Sequence, residues 1–485
     1  MYNNNQSGRG VGTEPIIIEV PAECKDLVPP IKEMIAAMRK AQQSGYGTCA
    51  VDYAQVEETI ALRTAEIERE AHAGILRTLE VDAPKLTIGG ASYTQIGHAD
   101  GTYKTMSGPV TVLRAIYRKD GVRNAPVVDA ITLRTGAVGR GWLPRTAQAM
   151  AHAVQAGTSR DAEATAKQMG RLPYSRASFE RVAHHVGEDW QREQANIEDE
   201  IVETFEIPAA ARSISVALDR VSVPMEEPRS RPPGRPKKDA PKNPIERKFR
   251  MAYCGTVTIH DDKGASLHTF RFGCMPQGDA DALCMDMANY VYLLRERRPD
   301  LKIKLMADGV PEMWNLLEGI FDPEVFGEVD RGVDFWHFLE KLSPAAKLLF
   351  GEEDALKELS RWKSSLKRSS DAATKILNEL YASGLEDAWL NGKQPVHEAI
   401  TYLENNMDRM NYAEALRNGL PIGSGNVEAT CKTLVQVRMK RAGSRWKTDT
   451  GEHIIRLRAI ALSDCWDAAM TKLHAKRRIS LRRAA

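Results

Sequence analysis

The sequence predicts an α/β protein: a mixed sheet with an all-helical insertion, preceded by a mainly helical N-terminal region. Three observations predict it. First, strand-like alternation recurs in ARSISVALDRVSVPM, FRMAYCGTVTIHD and SLHTFRFGCMP. It then gives way to an amphipathic stretch, GDADALCMDMANYVYLLRERRP, and to a fourth strand, LKIKLMADGV. Second, residues 351–418 keep helical periodicity with no β-rich run. Third, VEETIALRTAEIEREAHAGILRTLE, within residues 25–83, repeats apolar residues at three and four.

With 485 residues, of which 42% are hydrophobic and 27% charged, the chain reads as an ordinary globular protein. It is too long for one core, so roughly two to four domains are expected. The formal charge of +2 hides an asymmetry: residues 56–82 are acid-rich, while Lys472 to Arg483 hold six basic residues and no acid. Local basic surface on a near-neutral chain suits a polyanionic partner. The seven cysteines form no C-x-x-C pair, which argues against a zinc ribbon or redox motif and for reduced cytosolic thiols. MYNNNQSGRG has no apolar signal core, and no run of eighteen apolar residues follows, so a cytoplasmic protein with no membrane span is expected.

Taken in order, residues 1–24 read as a flexible lead and 25–83 as helical, with Ile60, Ile67 and Ile75 on the core face. Residues 84–158 read as a small β-containing domain, including the run GPVTVLRAIYR and a break at Asp120-Gly121. Residues 159–205 read as a helix-turn-helix-like DNA-binding region: SRDAEATAKQMG, capped by Ser159 and stopped by Gly170, then a helix capped by Ser175 or Ser178. Ser175, Arg176, Ser178 and Arg181 lie near the start of that second helix, where base and phosphate contacts are made. The alternative for such a helix pair is simple packing.

Residues 206–350 read as the first part of a catalytic core of mixed sheet and helix. They are interrupted at 228–250 by six prolines and nine Lys or Arg against two acids. Such a segment buries no core; it reads as a surface loop, with Arg235, Lys237 and Lys238 available to DNA phosphates. A three-strand meander followed by a crossover helix into a strand is the opening of a ribonuclease H-like fold. In it the first and fourth strands lie side by side, so Asp219 on one and Asp308 at the end of the other can converge. Residues 351–418 are the helical insertion, 419–467 the closing helices of the core, and 468–485 a basic tail. Glu428 lies in the first turns of the helix that follows Gly423-Ser424-Gly425, with Lys432 one turn on along the same face.

PIGSGNVEATCKTLVQVRMKRAGSRWK resembles the closing block of bacterial insertion-sequence DDE transposases, notably of the ISKra type. ADGVPEMW resembles the second-aspartate strand of that family, and DFWHFLEKL its D-x-x-H element. The resemblance covers residues 211–467, with a looser likeness back to 108. It implies Asp219, Asp308 and Glu428 as the catalytic, metal-binding acids, and Asp334 and His337 as accessory residues. The family leads one to expect a smaller residue than Arg220 after the first acid, and a cysteine-based metal segment that IYRKDGVRNAPVV does not supply.

Three carboxylates repel one another until cations relieve them, and hard Mg²⁺, with Mn²⁺ as substitute, suits oxygen ligands. Two such ions about 4 Å apart clamp a scissile phosphate. The function implied is DNA strand cleavage and 3′-hydroxyl strand transfer at the terminal repeats of an insertion sequence. The partners implied are double-stranded DNA and further copies of the chain, in a bacterial cytoplasm at the nucleoid. Lys432, Arg438, Lys440 and Arg441 are candidate phosphate contacts. The alternative function is an inactive, repurposed transposase that binds DNA.

Overall fold

The structure, a computed structural model, describes residues 17, 19–44, 50–227, 234, 246–276 and 278–483. The basic loop residues Arg235, Lys237 and Lys238 lie outside the described residues. The chain divides into one unit of residues 1–146, 166–173 and 479–485, and a second of residues 147–165 and 174–478.

In the first unit, α1 (Val28–Ser44) pairs with α2 (Tyr53–Thr78), whose start is capped by the Asp52 side chain accepting from the Gln55 N–H. Four strands follow, β1 (Lys85–Ile88), β2 (Ala91–Thr105), β3 (Gly108–Lys119) and β4 (Val127–Val128), then α3 (Ala130–Thr135). The sheet order is a C-terminal strand, Leu481–Arg483, then β1, β2, β3 and β4. Residues 481–483, expected in a basic tail, are therefore an edge strand antiparallel to β1. The face of α2 also differs from expectation. Ala73 and Leu76 are buried against Tyr103, Val110 and Val112, while Ile60 and Ile75 are 39% and 61% exposed. One residue is 100° of helix, so a stripe read from Ile75 rather than Leu76 faces solvent.

Next come α4 (Pro144–Ala156) and α5 (Ser159–Gln168), which lie mostly in the second unit, and α6 (Arg176–Thr204), which lies wholly within it. Thr158, not Ser159, caps α5: its Oγ1 accepts from the Asp161 N–H at 3.1 Å, and Asp161 Oδ2 accepts from the Thr158 N–H at 3.0 Å. The meander β5 (Ser213–Glu226), β6 (Arg247–His260) and β7 (Ser266–Cys274) leads through the crossover helix α7 (Ala280–Arg297) into β8 (Lys302–Ala307). Then come α8 (Pro311–Ile320), α9 (Pro323–Phe326) and β9 (Val329–Val333), a strand the sequence reading did not contain. The order is β7-β6-β5-β8-β9, antiparallel through the meander and parallel from β5 to β9. The expected adjacency of first and fourth strands is present, in the register Ser213↔Lys302 to Ala217↔Met306.

The helical insertion begins earlier than expected. It comprises α10 (Phe335–Arg368, broken at Gly351), α11 (Ala372–Ala382), α12 (Pro395–Asn406) and α13 (Tyr412–Arg417), with its own core around Phe338, Trp362, Ile376 and Leu403. The chain returns through α14 (Gly425–Thr430), a π-helical turn (Cys431–Gln436), α15 (Val437–Met439), α16 (Thr448–Leu462) and α17 (Trp466–Arg477). Residues 468–477 are thus helix rather than tail, with Lys472 paired to Glu200 at 2.9 Å and Arg477 paired to Asp189. The long α6 packs against α7, α16 and α17 and buries Phe179, Val182, Val186, Trp190, Ile197 and Ile201 along its length. The helix expected to read DNA is therefore largely a core helix of this unit, because its apolar stripe does not end after the first turns.

Candidate active site

Alternation along β5 sorts its side chains between two cores. Ile214, Val216 and Leu218 join one with α7 and β8, while Ala217, Val221 and Val223 join another with Val427, Leu434 and Ile455. Asp219 shares the second face, and so do Cys254 on β6 and Met306 on β8. Carrying the Ala217↔Met306 register two residues further sets Asp308, just past β8, beside Asp219. Burial pushes the Asp219 carboxyl above its usual range, and the charge of Asp308 pushes it the same way. Part of that is offset by the Arg220 N–H, 2.6 Å from Asp219 Oδ1, and by the Cys431 thiol, 3.4 Å from Oδ2. Asp308 is held by its own turn: Oδ1 accepts from the Val310 N–H at 3.1 Å, and its carbonyl accepts from Trp314 Nε1 at 2.9 Å. A Cβ on Gly309 would come within 2.4 Å of Tyr402 Cε2, so a side chain there would push the insertion away from the strand end.

Asp334 has a position the sequence did not reveal. Its Oδ1 caps α10 through the His337 N–H at 2.6 Å, and its Oδ2 accepts from both the N–H and the hydroxyl of Ser424. The Phe335 N–H donates to the Ile422 carbonyl at 3.0 Å. Asp334, 8% exposed, is thus a clasp between the end of β9 and the Gly423–Ser424 turn that launches Glu428. His337 Nδ1 lies 3.8 Å from Glu340 Oε2 on the same helix.

Glu428 sits on α14, which packs on β5 and β6, three residues before Cys431 and so on the same helical face. Its carboxylate reaches outward to Lys432, Nζ to Oε1 2.6 Å, with both side chains exposed. Among the described residues no group of three or more His, Cys, Asp and Glu is gathered as a ready-made metal site. The donors nevertheless fit a hard divalent ion in kind. Asp219 and Asp308, set side by side by the β5–β8 register, are oxygen ligands, and the Glu428–Lys432 pair is a solvent-exposed surface contact.

Arg220 leaves the site. Its guanidinium pairs with Glu312 on α8, which also accepts from the Tyr253 hydroxyl. Strand alternation puts this bulky residue on the opposite face from Asp219, so it does not crowd the carboxylates.

The candidate DNA contacts scatter. Arg438, expected on a phosphate-facing surface, is 7% exposed: its Nε donates to the Val154 carbonyl at 3.1 Å and its guanidinium lies 4.9 Å from the Trp446 ring centre. Lys440 reaches Ser222 Oγ at 3.2 Å, and Arg441 pairs with Asp161 on α5. Ser175 precedes α6 without a side-chain capping bond, and its hydroxyl lies 3.2 Å from that of Ser178. Arg176 Nε donates to Ser159 Oγ at 3.2 Å, and Arg181 is exposed on α6. The reading missed Cys254, Tyr402 and Cys431. Only the spacing of Cys431 three residues after Glu428 could have pointed to one of them.

No protein-family model matches the sequence, and no curated protein does. Among solved structures the chain is similar to the Drosophila P element transposase strand transfer complex, at 10% identity and a TM-score of 0.34, over 68% of this chain and 94% of that one. It is also similar to the Mos1 transposase paired-end complex with the left transposon end, at 11% identity and a TM-score of 0.16, over 57% and 77%. A pre-cleavage Mos1 transpososome aligns at 9% identity and a TM-score of 0.14, over 83% and 99%.

Proposed function

We propose that the chain is a DNA transposase of the DDE type, built on a ribonuclease H-like domain, with Asp219, Asp308 and Glu428 as ligands of two Mg²⁺ ions. The observation that carries the reading is the pairing of Asp219 and Asp308 at neighbouring parallel strands, beneath the helix that bears Glu428. When bound, the ions would activate water or a 3′-hydroxyl and stabilise the departing oxygen. The protein's own part is orientation. The Arg220 N–H and the Val310 N–H fix the two aspartates, and Asp334 fixes the turn from which α14 starts. Lys432, released from Glu428, would neutralise a nearby phosphate. Terminal repeats and target DNA are the substrates on this reading, and a bacterial insertion sequence of the ISKra type is the proposed source. Joining paired ends calls for at least two copies of the chain.

A second reading, a repurposed transposase that binds DNA without cutting, is favoured by one observation: Glu428 turned away from the aspartates. One experiment separates the two. A labelled duplex carrying the repeats that flank the coding region is incubated with Mg²⁺ and the parent, Asp308→Asn or Glu428→Gln. Cleavage and joining by the parent alone supports the transposase. Specific binding without cleavage in all three supports the binder.

A further inference from the structure

Both oxygens of Asp219 are held, but by very different donors. Oδ1 accepts from the backbone N–H of Arg220, which is fixed by the strand, whereas Oδ2 accepts from the thiol of Cys431, on the segment that follows Glu428. Cys431 is 4% exposed and opens the π-helical turn, an irregularity that often marks functional positions in helices. Cys431 is buried in the same apolar cluster as Cys254, the residue directly opposite Asp219 in the β5–β6 register. The Cys431–Asp219 contact thus links the Glu428-bearing segment to the first acid.

We propose that Cys431 is a positioning residue, its thiol orienting the Asp219 carboxylate toward Asp308. The inference rests on Asp219 being an ion ligand. A neutral, weak S–H donor suits that task. A lysine or arginine in its place would neutralise the carboxylate and compete with the incoming cation, whereas a thiol sets the plane and yields to it. The same contact ties the Glu428 segment to β5, so that one side chain sets the spacing of two acids.

Two measurements test this. The S–H infrared band of Cys431, identified by its loss in Cys431→Ser, is expected below those of the other thiols and moves up in Asp219→Asn. A band that Asp219→Asn leaves in place overturns the contact. Mn²⁺ titration without DNA is the second. Cys431→Ala is expected to weaken binding about three- to tenfold, the size of one modest hydrogen bond to a charged group. Cys431→Ser, which keeps a donor, is expected to return to within about twofold. Parent-like binding by the alanine variant, or equal weakening by the serine variant, overturns the positioning role. A parent that binds no Mn²⁺ overturns the metal-site reading instead, and the S–H band then decides the contact alone.

Discussion

Asp219 in the middle of β5 and Asp308 just past the end of β8 lie side by side on neighbouring parallel strands, while Glu198 and Asp286 meet between α6 and α7 around a cavity of about 30 Å³ lined also by Trp190, Tyr290 and Arg456. In the second cluster Gln194 Nε2 lies 3.1 Å from Glu198 Oε2 and 3.5 Å from Asp286 Oδ2, and Arg456 bonds Gln194 and Glu452. Burial, reinforced by the charge of Asp286, pushes Glu198 up to about 8, so it carries a proton at neutral pH. The two pairs share the same physics, desolvation plus like charge, and differ in what answers it. The sealed pair is answered by a proton and a fixed arginine. The β5–β8 pair is answered by donors alone, the Arg220 N–H and Cys431 thiol at Asp219 and the Val310 N–H at Asp308. A strongly raised carboxyl therefore does not by itself mark the reactive site.

Substitutions can sharpen that contrast. The largest effect is expected at the strand ends: Asp308→Asn or Glu428→Gln should lower Mg²⁺-dependent cleavage by about a thousandfold or more, since a lost ligand removes several kcal/mol of transition-state stabilisation. Glu198→Gln should leave cleavage near the parent level. Asp334→Ala comes next. It removes a helix cap and the acceptor for Ser424, and chemical denaturation should show a loss of about 2–4 kcal/mol.

Glu198→Gln has a pH signature. Folded Glu198 keeps its proton to about 8, whereas the unfolded chain releases it near 4.5, so this group's contribution to stability is complete below 4.5 and declines as pH rises toward 8. The glutamine variant should melt like the parent at pH 4 and gain several kcal/mol over it, on the order of 4, at pH 8. Equal melting shifts at both pH values would mean that Glu198 is not held protonated. The smallest effect belongs to Lys432→Ala, which should leave stability close to the parent's and reduce the salt slope of DNA binding by about one.

The central sheet was legible because the alternating stretches of β5, β6 and β7 and the short run of β8 are punctuated by turns and a helix, so the strands could be ordered. The same register explains why Asp219 and Asp308 could be named together. What escaped the sequence depends on contacts distant in the chain. β9 is five residues without alternation, and Leu481–Arg483 becomes a strand only by pairing with β1. Arg438 looks like surface charge until Val154 and Trp446 surround it. Asp334 matched a motif, yet its partner Ser424 lies ninety residues on, so its clasp could not be foreseen. The tilt of α2 toward Leu76 turned on a single residue of phase.

The most direct test of the metal-site account exchanges the ligand atom. Asp308→Cys replaces a hard oxygen by a softer sulfur, which Mg²⁺ avoids and Mn²⁺ accepts more readily. Cleavage of the repeat-bearing duplex by this variant should vanish in Mg²⁺ and return in part in Mn²⁺, while the parent works in both. Parent-like cleavage by the variant in Mg²⁺, or parent cleavage that survives chelation of all divalent ions, would contradict the assignment of Asp308 as an ion ligand.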